Sequence, residues 1–195
     1  ITLSDGPDVA DKNSFYDNES HSFRKQNGIN YAPIICSGIT AQSLSTGGTL
    51  TTGTVEGTWS LNTGSRFEAT YADLAEYYEG DTVYEVGTVL IFGGEKEVTV
   101  CSRFADTAVA GVVSDRSAYS MNSQCPGHKN LIALQGRVPV KVVGKIRKGD
   151  LITTSEIEGV GTKALEAQVG TILGKALQDY DSTEIGIIEV AVGRS

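Results

Sequence analysis

The chain is short of the residue types on which most functional assignments rest. It has 3 Cys, 2 His, 4 Pro, 1 Met and 1 Trp among 195 residues. Cys36, Cys101 and Cys125 are odd in number and far apart, which excludes a disulfide framework and points to free thiols from a reducing compartment. Cys125-Pro126-Gly127-His128 has half the ligands of a metal site, but one Cys and one His cannot close a four-ligand sphere, so it reads as a turn. Neither His21 nor His128 has a carboxylate or nucleophile at a recognisable spacing. Gly47-Gly48 and Gly93-Gly94 lack the Lys-Ser/Thr that completes a phosphate loop. No metal or other cofactor is therefore expected.

Positive charge is also scarce: 16 Lys+Arg stand against 24 Asp+Glu, a net charge of −8. An acidic surface repels phosphate backbones and anionic lipid, which disfavours nucleic-acid and membrane-surface partners. No apolar run approaches the roughly 18–20 residues that span a bilayer, and no basic-then-apolar signal segment opens the chain. The sequence begins inside a polar pattern at Ile1, the expectation for a fragment of something longer.

What is present is unevenly spread. Residues 1–66 are mostly Ser, Thr, Asn, Asp and Gly, punctuated by turn signals at Asp5-Gly6-Pro7, Asn27-Gly28, Thr46-Gly47-Gly48 and Asn62-Thr63-Gly64. Short strand candidates lie between them, such as Ser20–Arg24 and Tyr31–Cys36. A stretch this polar cannot bury a core of its own. It reads either as a flexible polar linker or as a stem in which three chains wind together. In the second case Phe15, Phe23, Tyr31, Ile34, Ile39, Leu44, Leu50, Val55 and Trp59 are the candidates for a narrow shared axis.

Residues 67–81 differ in kind. Tyr71, Leu74, Ala75 and Tyr78 recur at the spacing of one helical face and Gly80 would stop such a helix, which predicts a short helix or turn, although the tyrosines also fit a strand. This is the densest cluster of functional groups, with Glu68, Asp73, Glu76, Glu79 and Asp81 among Tyr71, Tyr77 and Tyr78. On a helix Asp73 and Glu76 would share a face, the arrangement that acid–base work or a hard cation uses; the plainer reading is a solvated acidic face.

From Val83 the pattern is β. Val89–Phe92 is followed by a Gly-Gly hairpin signal, and Glu97–Cys101 and Val109–Ser114 are further strands. In Arg137–Val142 three valines alternate with polar or cyclic residues, and Pro139, lacking a ladder donor, places that strand at an edge or bulge. Ile185–Val192 closes the chain. A degenerate repeat runs through this region. Tyr84–Ile91 parallels Ile146–Thr153, each with a Gly-bearing turn ahead of its apolar run, and each is followed by a Gly-centred strand, Ala110–Val113 or Leu173–Leu177. The expected fold is mainly β: an elongated trimeric β-stem over residues 1–66, then a compact all-β small barrel or sandwich over 67–195 with at most one or two short helices.

Tyr71–Tyr78, Tyr84–Leu90, Val109–Ser114, Ala133–Val142, Lys148–Leu151, Gly170–Leu177 and Val190–Arg194 together resemble a C-terminal domain of fibre and appendage proteins of tailed phages, in particular contractile-tailed phages of cyanobacteria. Ser14–Asn18 and His21–Arg24 look like stem units of such fibres. The resemblance implies a virion structural protein made in the host cytoplasm: a homotrimer at tail, neck or head, partnered by other virion proteins, whose C-terminal domain aids trimer registration. The alternative is a tip that binds a host surface receptor or glycan, through aromatic exposure around Tyr71, Tyr77 and Tyr78 or in the Tyr119–Lys129 loop. Ala72–Glu76 is more distantly similar to the intramolecular-chaperone autocleavage domain of phage appendage proteins. That similarity implies a single self-cleavage, with Asp73 and Glu76 as its acidic groups, rather than a turnover enzyme. Tyr77-Tyr78-Glu79-Gly80 departs from that family's aromatic-Trp continuation, and the Ser-Asp bonds present are Ser4-Asp5 and Ser114-Asp115.

Overall fold

The computed structural model describes residues 13–16, 21–24, 58 and 60–193. The chain divides into two compact units, Ile1–Ser60 and Leu61–Ser195. In the first, β1 (Asn13–Tyr16) and β2 (His21–Arg24) pair antiparallel with Ser14 opposite Phe23. The side chains of Phe15 and Phe23, and the axis candidates Tyr31, Ile34, Ile39, Leu44, Leu50, Val55 and Trp59, lie outside the described residues, as does His21's.

The second unit is all-β among its described residues. Its strands are β3 (Asp73–Gly80), β4 (Val89–Phe92), β5 (Val98–Val100), β6 (Val109–Val113), β7 (Tyr119–Met121), β8 (His128–Ile146), β9 (Leu151–Thr154), β10 (Gly161–Lys163), β11 (Ile172–Ala176) and β12 (Tyr180–Val192). They form one sheet that closes on itself twice. β8, β6, β4, β5 and β3 pair in sequence around one ring, which shuts where β3 meets β5 in parallel at Gly80 and Val98. A second ring runs β8, β12, β11, β9 and β10, and it shuts where β10 meets β8 in parallel at Gly161 and Val142.

The rings share both the order of strands and the sense of every pairing. In this correspondence β3 matches the second half of β8, β4 matches β9, β5 matches β10, β6 matches β11, and the first half of β8 matches β12. The sequence repeat maps onto it directly. Leu90 of β4 pairs with Gly111 of β6, and Ile152 of β9 pairs with Gly174 of β11. The turns ahead of β4 and β9 are closed by equivalent bonds, from Thr88 N–H to Glu85 O and from Asp150 N–H to Arg147 O. The small-barrel alternative is thus the one realised, as two fused five-stranded barrels.

β8 is 19 residues long, several times an ordinary strand. Its first half pairs with β3 and its second with β12, the change falling at Gly136, which faces Asp73 on one side and Val192 on the other. Gly136 has φ 114°, and a Cβ there would lie 2.7 Å from Asp73 Cα and collide with Ala72 O, so only glycine lets three backbones converge. Beyond it Val138, Val140 and Val142 are buried and pack with Ile146, Ile152, Leu173, Ile188 and Val190. Each such side chain contributes roughly 1.5–3 kcal/mol of burial. A second cluster, Leu90, Val98, Val113 and Ile132, fills the first ring.

Pro139 finds its place in the same way. Arg137 N–H bonds to Ala72 O and Lys141 N–H to Gly87 O, both on the flank away from β12. Backbone direction alternates along a strand, so the donor that Pro139 lacks would have pointed to that flank, between those two bonds, and no β8–β12 ladder bond is lost.

The rings are joined along a seam. Val89 N–H donates to Gly159 O at 2.8 Å and Gly159 N–H to Cys101 O at 2.9 Å. Cys101 and Cys125 are both free and buried. Asp106, 4% exposed, accepts from Arg103 Nη2 at 2.8 Å and Ala108 N–H at 2.9 Å, while its own N–H donates to Thr154 Oγ1 at 2.8 Å. The bond from Ala108 N–H, assisted by Arg103, outweighs burial and holds its carboxyl below the usual range.

Two predictions follow from this packing. In urea unfolding of the whole chain, Gly136→Ala and Gly174→Ala should each cost about 3 kcal/mol or more, since each new Cβ meets fixed backbone. Gly64→Ala, where φ is 86° but nothing lies within 4 Å, should cost only about 1–2 kcal/mol. Asp106 has a depressed folded-state pKa, so its contribution is complete above the ordinary carboxylate value of about 3.9 and is lost as pH falls below it. Urea midpoints measured from pH 7 to 3 should show Asp106→Asn less stable at pH 7, with a shallower decline below about pH 4.

Candidate functional site: strand β3 and its open flank

The acidic, tyrosine-rich segment is not a helix. Residues 73–80 form β3, held by β8 along its length and by β7 at Leu74–Glu76. The spacing of Tyr71, Leu74, Ala75 and Tyr78 matched a helical face, but eight residues carry too little helix propensity to resist backbone bonds offered on both sides. The expected sharing of a face by Asp73 and Glu76 fails with the helix. Three apart on a strand, they point to opposite faces.

Asp73 is 4% exposed, and its Oδ2 has no hydrogen-bond partner among the protein groups around it. Glu76 instead accepts a 2.9 Å bond from Tyr78 Oη, whose ring meets Phe92 edge-on at 5.5 Å. Burial first, then the bond to Glu76 and its charge, push the Tyr78 pKa up to about 12. The remaining acids serve local structure. Asp81 Oδ1 accepts from Glu95 and Lys96 N–H at 2.9 Å each, Glu79 pairs with Lys96 Nζ at 3.1 Å, and Glu68 pairs with Arg66 at 2.7 Å. Cys125 N–H closes a turn to Asn122 O at 2.9 Å, and His128 Nδ1 lies 3.1 Å from Asp81 O.

On the flank of β3 the start of the expected Tyr119–Lys129 loop is a strand, and Arg116, which the sequence did not mark, joins it. β7 runs parallel to β3 with Tyr119 beside Leu74, and Arg116 stacks over the Tyr71 ring at 5.4 Å. Tyr119 is 64% exposed, Tyr71 46% and Leu74 37%. Among the described residues no strand covers the outer side of β7. The signal was in the repeat: residues 114–127 separate β6 from β8, whereas only 177–179 separate their counterparts β11 and β12. Of the Ser-Asp bonds, Ser4-Asp5 lies outside the described residues. In Ser114-Asp115, Ser114 is buried and donates its N–H to Leu131 O at 2.8 Å.

An NMR titration of ring-labelled tyrosines should find Tyr78 ionising near pH 12. Glu76→Gln should bring it part of the way toward the ordinary value of about 10, and no further, because burial is the larger cause.

No family model matches the chain, and no curated protein matches it. Among solved structures, the pre-mature gene product 12 of bacteriophage phi29 aligns at 14% identity and a TM-score of 0.49, over 66% of this chain and 23% of that one. The C-terminal fragment of the same product aligns at 15% and 0.45, covering 62% and 99%. The N base of the phi29 head fibre gp8.5 aligns at 12% and 0.38, covering 63% and 95%. The chain thus spans about a quarter of the length of the first of these.

Proposed function

We infer that this chain is a structural protein of a tailed-phage virion, a fibre or appendage component that assembles as a homotrimer. Residues 1–66 would form the intertwined stem and 67–195 the domain that sets the three chains in register. The observation that carries the reading is where the family-like motifs fall. Lys148–Leu151 forms the turn into β9; Val109–Ser114 and Gly170–Leu177 hold the equivalent glycines Gly111 and Gly174; Ala133–Val142 spans the crossing at Gly136. The motifs thus build the joints of a rigid double barrel, as an assembly scaffold requires. Tyr71, Leu74 and Tyr119, exposed together at one end of β3 and β7, and Phe67, exposed in the segment leading into β3, support contact with further protein.

Host attachment through the Tyr119–Lys129 loop is a second use of the same end, supported by the exposure of Tyr119. Self-cleavage loses its paired carboxylates once Asp73 and Glu76 face apart, and would rest on Asp73 alone, the buried acid with an unpartnered oxygen.

Light scattering on the eluting full chain should return three times the chain mass at micromolar concentration. A stable monomer under those conditions overturns the reading.

A further inference from the structure

An unpaired strand edge and an unpaired strand-like segment meet at the start of β3. Ala118 N–H donates to Asp73 O at 2.8 Å, so Ala118 and Ser120 direct their backbone groups to β3. By alternation the N–H and C=O of Tyr119 and Met121 point outward, where no described strand receives them. β7 is short, at 3 residues, but it carries no proline, bulge or inward charge to guard its open edge.

The segment leading into β3 has the complementary need. Arg66-Phe67-Glu68-Ala69-Thr70-Tyr71 alternates polar and apolar residues, a strand pattern with no proline, yet it forms no strand. Every residue from Leu61 to Ala72 is exposed, Phe67 by 77%. This segment cannot serve its own β7. It runs into the end of β3, and β7 already lies beside Leu74–Glu76, so to reach the far side of β7 it would have to reverse within Tyr71-Ala72. Arg116 holds Tyr71 in place.

We propose that the outer edge of β7 receives the Arg66–Tyr71 segment of a second copy of this chain as an added strand. Each copy then gives a strand to one neighbour and takes one from the other, a head-to-tail contact that closes as a ring. The inference rests on the trimeric reading above and names the surface that would make it. Phe67 of the incoming segment would cover Leu74 and Tyr119. Each side also brings one cation and one anion, Arg66 with Glu68 and Arg116 with Asp115, so the pairs can exchange partners without net repulsion.

The test places a photo-cross-linking amino acid at Tyr119 of the full chain, an exposed position, and maps the products by mass spectrometry. Cross-links to residues 61–71 of a second copy are expected. Cross-links to residues 1–57, to another face of the domain, or within one chain overturn the proposal. As a second measurement, Tyr119→Pro removes an outward donor without touching the β3 ladder, and Phe67→Asp alters an exposed position. Each should raise the concentration for half-dissociation at least tenfold with the thermal transition of the β domain retained. A trimer unmoved by both substitutions overturns this interface and leaves the trimeric reading standing, whereas a wild-type monomer overturns both.

Discussion

The fold depends on one strand serving two barrels. β8 must offer its first half to β3 and β6 and its second half to β12 and β10, all within one unbroken run of backbone. An interrupted strand would leave two small rings, each closed by a single parallel residue pair and each too small to bury a core robustly. Continuity through Gly136 ties them into one cooperative body. It also explains why that crossing excludes a side chain, because the strand can change partners only where a third backbone comes within contact distance.

Closure has a second consequence. A sheet curled into rings has no edges, and edges are where chains pair with other chains. Among the described residues ring closure removes many such edges, whereas β7, paired on one side only, is supplied by a stretch with no counterpart in the second ring. The two repeats are therefore equivalent as scaffolds and unequal as surfaces. Both bury valine, leucine and isoleucine inside, but only the first carries an added strand with outward backbone groups and an exposed tyrosine.

Much of this was legible in the sequence, for a physical reason. Val138, Val140 and Val142 alternate because burial on one face demands it, and the turn glycines recur because equivalent turns need them. The repeat was readable although degenerate, since its glycines are fixed by backbone contacts that side-chain drift leaves alone. The helix expected over 67–81 failed where local pattern ceased to decide. Tyr71, Leu74, Ala75 and Tyr78 satisfy a period of 3.6, but pairing with β8, some fifty residues later in the chain, outweighs it. Ring closure was illegible because one residue pair shuts each barrel and leaves no periodic trace. The burial of Asp73 was hidden likewise, because the strand that pairs with it, at Gly136, lies far along the chain.

The same contrast bears on Arg66–Tyr71. Alternation at a period of two is a reliable sign of a strand when a partner exists, and among the described residues this segment has none. In a monomer the pattern has no physical use: an exposed phenylalanine and a row of unpaired amides confer neither stability nor solubility. In an assembly the same six residues supply alternate side chains for a neighbouring surface and backbone groups for its open edge. A pattern that a single copy leaves unused, beside an edge that a single copy leaves unpaired, is what a sequence shaped by association between copies would contain.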